Sequence, residues 1–262
     1  MAAATNVQPN AYARRSFLYR KLAATGANFG EVGGPVGGGA VALDFGDPDG
    51  EAEAARRLGL ADLSVLPHTG FKGAGVVAWL RGQGVEVSEE PNWAPRLASG
   101  GQQGGGLALR QAAAEVMILG DLSGEGGWPE RLKQAWWAEP VPPPSPRGFP
   151  MPRDETHAWL AVTGEHAAAM FAKLCGVDLR APAFPQGRVA QTSIARLNGV
   201  IVRDDRGGVP FFHLLADCAA AEYLWDCLLD AMAEFEGRPV GLTALRGLGE
   251  GRARPPGPLA PT

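Results

Sequence analysis

The sequence predicts an α+β fold made of two similar halves, a duplicated βαββα unit with ferredoxin-like halves. Three observations predict it. The same order of apolar runs and turn signals occurs twice along the chain. A proline-dense stretch, residues 140–152, falls between the two occurrences. And 45% of the 262 residues are hydrophobic against 20% charged, a balance too apolar for general disorder.

In the first half, Leu60 to Leu66 is an apolar, strand-like run. Thr69-Gly70 then opens a short helix, with Val76, Val77 and Leu80 on one face and Gly82 as its stop. Two strands follow, Gly106 to Gln111 and Glu115 to Gly120. A helix at Pro129 to Trp137 closes the unit, with Pro129 suited to the first helical position. In the second half, Thr156 to Val162 is a strand. Thr163-Gly164 opens a helix carrying Ala167, Met170, Phe171 and Leu174, and Gly176 stops it. Strands at Val189 to Leu197 and Val200 to Arg203 are joined through Asn198-Gly199, a strong hairpin signal. A strand at Phe211 to Leu215 leads into the last helix, capped by Asp217. Ala221, Leu224, Trp225, Leu228, Leu229, Met232 and Phe235 make one broad apolar face on it. Pairing Thr69 with Thr163 also pairs Gly70 with Gly164 and Gly82 with Gly176.

The chain has 37 glycines and 22 prolines, and much of this excess is local. Gly30 to Gly39 and Gly100 to Gly106 read as glycine loops. Neither has the strand–GxGxxG–helix context of a dinucleotide site. The expected divisions are a flexible N-terminus over 1–13, a first α+β half over 14–139 and a Pro-rich extended connector over 140–152. A second half over 153–246 and a disordered tail over 247–262 complete them, with one compact domain overall as the alternative.

The formal net charge is −4 and no basic stripe stands out, so nucleic acid is not the expected partner. No apolar run approaches the roughly 18 residues of a membrane span. The first thirteen residues lack the apolar core of a signal peptide, so the expected location is the cytoplasm. Cys175, Cys218 and Cys227 form neither a CxxC nor a Cys/His cluster, and no metal site is expected. Of the four histidines, only His68 calls for attention.

No nucleophile–base pair, metal cage or phosphate cradle has convincing spacing, and no catalytic residue is assigned. Asp204-Asp205, beside Arg203, Arg206 and Gly207-Gly208, reads as a polar turn. Asp62, a charge within a strand-like run, reads as a strand-end cap. Trp136 and Trp137 are adjacent on a helix, about 100° apart, so both rings can hardly face one core. One is a candidate for a partner interface, where Trp is enriched. Glu222, Asp226, Asp230 and Glu234 stack like charges four apart along the last helix, which is mildly destabilising. They are the other candidate interface residues, an acidic strip facing a partner's arginines.

Several segments resemble known families. Ser16-Phe-Leu-Tyr19 and Gly26-Ala-Asn-Phe29 resemble the entry of glycine-cleavage T-protein-type chains. So does Glu53-Ala-Ala-Arg-Arg-Leu-Gly-Leu-Ala-Asp-Leu-Ser64 with Thr69-Gly-Phe-Lys-Gly73. The second half resembles the gamma subunit of heterotetrameric sarcosine oxidase, at Leu174–Arg180, Phe184–Thr192 and Ala221–Asp226. The resemblance implies the folate-binding fold of T-protein over most of the chain. It implies a subunit beside large alpha and beta flavoproteins and a small zinc-binding delta subunit. FAD, FMN and NAD would sit on those partners, and tetrahydrofolate would be the one-carbon acceptor. The complex would demethylate an N-methyl amino acid such as sarcosine; N-methylglutamate or dimethylglycine dehydrogenase subunits share the pattern. T-proteins carry an Asp just after the hairpin turn, whereas Leu197-Asn-Gly-Val200 leads into Ile201 and Val202. Val65 stands where they have His, with His68 three further on. The chain also stops short of their closing barrel. A non-catalytic gamma-type subunit is therefore the expectation, and a free-standing folate-dependent aminomethyltransferase-like enzyme is the alternative.

Overall fold

The computed structural model describes residues 6–33, 38–98, 105–125, 127–139 and 147–249. Parts of the predicted glycine loops (34–37 and 99–104), of the connector (140–146) and of the tail (250–262) lie outside the described residues.

The α+β class stands. Strand β1 (Arg14–Arg15), helix α1 (Tyr19–Ala24), β2 (Asn28–Val32) and β3 (Gly39–Asp44) come first, and the three strands form a sheet ordered β1-β3-β2. Gly30 and Gly39, expected in a loop, are strand residues. A Cβ on Gly30 would collide with Leu43, so close packing accounts for that glycine. Helix α2 (Pro48–Arg57) begins where Asp47 accepts the Gly50 amide at 3.1 Å, with proline at its first position. Strand β4 (Gly59–Asp62) follows.

The first repeated unit is β5 (His68–Lys72), α3 (Val76–Gly82), β6 (Arg96–Leu97), β7 (Gly106–Ala112), β8 (Glu115–Gly120) and α4 (Gly127–Ala138). Its sheet runs β6-β7-β8-β5, with β9 (Phe149–Met151) beyond β5. After α5 (Arg153–Thr156), the second unit is β10 (His157–Thr163), α6 (Ala167–Phe171), β11 (Val189–Ile194), β12 (Leu197–Arg203), β13 (Phe211–Asp217) and α7 (Ala221–Ala233). Its sheet runs β11-β12-β13-β10, continued by β4 and then β14 (Arg238–Pro239). Helix α8 (Leu242–Gly249) is the last element described.

Both units therefore read strand, helix, three strands, helix, with sheet order second-third-fourth-first. The unit has one more strand than the predicted βαββα: in the first half β6 is only two residues long and too short to show a period, and in the second the further strand read at Phe211 to Leu215 completes the set. The equivalences also shift. Thr69-Gly70 does not open a helix; both residues lie in β5, opposite Ile118 and Met117. The matching turn residues are Gly73 and Gly164, with φ of 142° and 108°. The carbonyl of each accepts the first helical amide, Val76 or Ala167, at 3.1 Å. These pairs are 91 positions apart, as are the starts of β7 and β12, Gly106 and Leu197.

Three further expectations are corrected. The Leu60–Leu66 strand ends at Asp62, and α6 ends at Phe171, well before Gly176. The hairpin between β11 and β12 does not turn at Asn198-Gly199. It turns at Ala195-Arg196, both with positive φ (48° and 68°), closed by the Ile194–Leu197 pair. Gly199 lies within β12, where a Cβ would stand 2.6 Å from Ile194 Cδ1; packing explains this glycine. The connector, expected to be extended, ends in a strand whose Phe149, Pro150 and Met151 pair with Lys72, Phe71 and Gly70.

Alternation along the strands sorts the core into layers. Met117 and Leu119 of β8 join Trp159 and Ala161 of β10 in a core between the two larger sheets. Val116 and Ile118 face α3 and α4 on one outer side. Leu160 and Val162 face α6 and α7 on the other. Helix α7 buries Ala221, Leu224, Trp225, Leu228 and Met232 as the sequence predicts. Asp217 caps a short 3-10 turn, Cys218–Ala220, that leads into it.

Candidate functional site

A line of polar side chains crosses the apolar layer between the two large sheets and ends at a surface cavity. It begins with His68 on β5 and Trp159 on β10, which are 91 positions apart and so occupy equivalent places in the two units. Their rings meet edge to face at 5.5 Å. His68 Nδ1 donates to the Leu66 carbonyl at 2.8 Å, and its buried Nε2 has no partner among the described residues. Burial pushes the His68 pKa down to about 4.

Trp159 Nε1 donates to His213 Nδ1 at 3.0 Å. That fixes the tautomer: the proton of neutral His213 sits on Nε2, which faces Asp204 Oδ2 at 3.4 Å. Burial pushes the His213 pKa down, although Asp204 pulls the other way. Asp204 is 1% exposed. Burial alone would raise its carboxyl. The His213 hydrogen bond and the charges of Arg206 and Arg96 outweigh that and hold it well below the usual carboxylate range.

Asp204 ties the two units together. Arg96 of β6 reaches its Oδ1 at 2.6 Å and the Asp205 carbonyl at 2.6 Å. Gln186 donates to Oδ1 at 3.1 Å and Arg206 to Oδ2 at 2.8 Å. Arg206 also lies over the Phe211 ring at 5.0 Å. Next door, buried Arg203 forms a two-pronged pair with Asp205, both contacts at 2.8 Å. The Asp204-Asp205 turn is thus a turn whose first carboxylate is the floor of a cavity of about 630 Å³. Its walls come from Arg96, the Gly105-Gly106 backbone, Asp121 to Ser123, Gly207 and Arg246 of α8. A second groove of about 400 Å³ holds Trp93 and Gln186 and shares Arg96 with the first.

Sequence reasoning singled out Asp204 and Arg206 but missed Arg96, Gln186, His213 and Arg246. Arg96 stands 108 positions from Asp204 and nothing local marks it. His213 did carry a signal, a lone titratable side chain inside the apolar run Phe211 to Leu215.

The predicted interface residues fall apart. Trp136 is a core residue, its ring 5.2 Å from Phe71 and 4.8 Å from Trp79, under the Arg147 guanidinium at 4.3 Å. It offers no surface. Trp137 is 75% exposed, and Phe149 on the edge strand is 73% exposed. Of the acidic strip, Asp226 pairs with Lys21 at 2.8 Å and Glu234 with Lys173 at 3.0 Å. Glu222 and Asp230 have no ion pair among the described residues. Asp62 caps its strand end as expected, accepting the Ser64 amide and hydroxyl at 3.0 and 2.6 Å. It also accepts the Ser16 hydroxyl. Among the described residues no His/Cys/Asp/Glu group could hold a metal ion, and no helix is long and apolar enough to cross a membrane.

No family model matches the chain, and no curated protein matches it. Solved structures do. Glycine cleavage system aminomethyltransferase T from Bartonella henselae aligns with a TM-score of 0.66 at 18% identity, over 90% of this chain. A chain of heterotetrameric sarcosine oxidase from Corynebacterium sp. U-96, in complex with pyrrole 2-carboxylate, aligns with a TM-score of 0.58 at 21% identity. That alignment takes in 85% of this chain and 96% of the other. The fold is the one these proteins share. The chain spans 62% of the aminomethyltransferase's length, and at these identities the likeness concerns architecture.

Proposed function

We propose that this chain is a non-catalytic, gamma-type subunit of a sarcosine oxidase-like heterotetramer. The complex would oxidatively demethylate an N-methyl amino acid and pass the one-carbon unit to tetrahydrofolate. The observation that carries this reading is extent: the fold match takes in 96% of a sarcosine oxidase chain and 62% of the aminomethyltransferase. The chemistry of the cavity agrees. Asp204, the buried carboxylate at its floor, is held by two guanidiniums, an amide and an imidazole, and has no lone pair left for general-base work. FAD, FMN and NAD would belong to the large alpha and beta partners, with a zinc-binding delta subunit completing the assembly. Trp137, Phe149, Glu222 and Asp230 would meet those partners.

The test is co-expression of the full chain with a flavoprotein alpha subunit of this oxidase type. The expected result is one co-eluting complex with flavin absorbance that oxidises an N-methyl amino acid. A stable lone chain beside the co-expressed subunit overturns the reading. A second reading, a free-standing folate-dependent aminomethyltransferase-like enzyme, draws on the size of the cavity alone, since about 630 Å³ is in the range of small-molecule sites. Calorimetry with tetrahydrofolate tests it, and no heat of binding at millimolar ligand ends it.

A further inference from the structure

The cavity beside Asp204 offers more hydrogen-bond donors than its own acceptors can use. A carboxylate has about four lone-pair sites. Those of Asp204 take Arg96 Nε, Gln186 Nε2, Arg206 Nη2 and His213 Nε2. Asp121 accepts the Ser123 amide at 2.9 Å, the Ser123 hydroxyl at 2.5 Å and the Gly105 amide at 3.0 Å. Glu125, at the exposed rim, is the one lining carboxylate without a partner among the described residues.

The donors are far from spent. Arg96 uses Nε and Nη2. Among the described residues, Arg206 uses Nη2 alone and its buried Nε has no acceptor. Arg246 donates from Nε to the Leu122 carbonyl and from Nη2 to the Ser123 carbonyl, both at 2.8 Å. Among the described residues, Nη1 of all three arginines is without an acceptor.

Charge is uneven across the cavity. Arg96 and Arg206 share the single negative charge of Asp204 and His213 beside it is neutral, so this end is positive, while Asp121 and Glu125 toward the rim bring the whole lining, with Arg246, to three positive and three negative charges. Among the described residues, the only hydrogen-bond partners of Arg246 are neutral carbonyls. Burial pushes its pKa down, while Asp121 and Glu125 oppose this from a distance without closing an ion pair. A partly desolvated guanidinium without a paired anion is costly, and an oxyanion beside it removes that cost.

We propose that this cavity binds the carboxylate or phosphate group of a small metabolite, with Nη1 of Arg96, Arg206 and Arg246 as the donors. The volume of about 630 Å³ lies in the range of small-molecule sites and leaves room for an organic body behind the anionic group. The site holds whether the chain works alone or in a complex, so it does not depend on the subunit reading.

The experiment titrates the full chain with inorganic phosphate and, separately, with succinate, against sodium chloride at matched ionic strength. Thermal midpoint and calorimetric heat are both read. A saturable upward shift with one anion and not with chloride is expected, and the tighter arm identifies phosphate or carboxylate as the group recognised. Arg246→Met weakens that binding about tenfold or more, Arg246→Lys restores part of it, and Lys72→Met on the distant surface leaves it unchanged. Should Arg246→Met not fold, Arg206→Gln is read in its place. No saturable response beyond that of chloride, or unchanged affinity in the arginine variant, overturns the proposal.

Discussion

Lowering the pH from 7 to 5 destabilises this protein through His68. The pKa of its buried ring is pushed from the ordinary 6.5 to about 4, so the unfolded chain takes up the proton first as the pH falls. Stability is therefore lost between pH 6.5 and about 4 and is flat below. The full shift is worth about 3 kcal/mol, of which about 2 kcal/mol is lost between pH 7 and 5. His213 and His157 are pushed down by burial as well and act in the same direction. Asp62, pushed up by burial, acts in the opposite direction. His68→Asn separates the contributions. Its amide keeps a donor for the Leu66 carbonyl, and it cannot titrate. The variant is less stable at every pH because the ring is lost from beside Trp159, so the quantity to compare is the slope. Urea unfolding followed by tryptophan fluorescence at pH 7, 6 and 5 measures it. The wild type should lose about 2 kcal/mol more than the variant across that interval. Parallel curves, within about 0.5 kcal/mol, would show that the His68 ring is not buried neutral and would refute the reasoning.

Four other substitutions have defined outcomes. Trp136→Ala should cost about 3–5 kcal/mol by chemical denaturation, whereas Trp137→Ala should stay within about 0.5 kcal/mol in the isolated chain; equal effects would mean that the two rings are misplaced. Asp204→Asn leaves Arg96 and Arg206 facing a neutral amide and should lower stability by about 3 kcal/mol, with the midpoint of urea unfolding as the measure and no change as the contrary result. Gly164→Ala places a Cβ against the Arg57 backbone at a φ of 108°; it should destabilise by at least about 1–3 kcal/mol, seen as a lower melting temperature, and a neutral substitution would mean that this turn is not as described.

The parts of the fold legible in the sequence are those where local pattern and tertiary packing agree. Strand β8 falls on Glu115–Gly120 as predicted, and α7 buries the predicted face. The misreadings occur where a local signal serves another purpose. Asn198-Gly199 looks like a hairpin turn, yet Gly199 is a glycine because Ile194 lies against it. Thr69-Gly70 looks like a helix start, yet the turn glycine is Gly73. Strand β6 has two residues and exists only through its pairing with β7. The site was less legible because its charges are spread along the chain. Asp204 and Arg206 look like a loop until Arg96 is brought to them.

The repeat explains why the site is where it is. In the first unit, β7 and β8 are joined by two residues, Ala113-Ala114. In the second, β12 and β13 are joined by seven, Asp204 to Pro210. The 91-residue correspondence links β5 with β10, the start of α3 with that of α6, and β7 with β12; β6 and β11 fall outside it, since Arg96 pairs with Leu107 whereas Ser193 pairs with Asn198, and it breaks again after β12, at the longer connection. That connection carries Asp204, Asp205 and Arg206. It lies beside β6 of the first unit, whose Arg96 completes the cluster, and α8 supplies Arg246. Neither unit contains the site alone. A duplicated framework places equivalent residues such as His68 and Trp159 against each other in the core, where near-symmetric packing suffices. A polar cavity needs asymmetry, and here one longer connection in the second unit, met by an arginine of the first, supplies it.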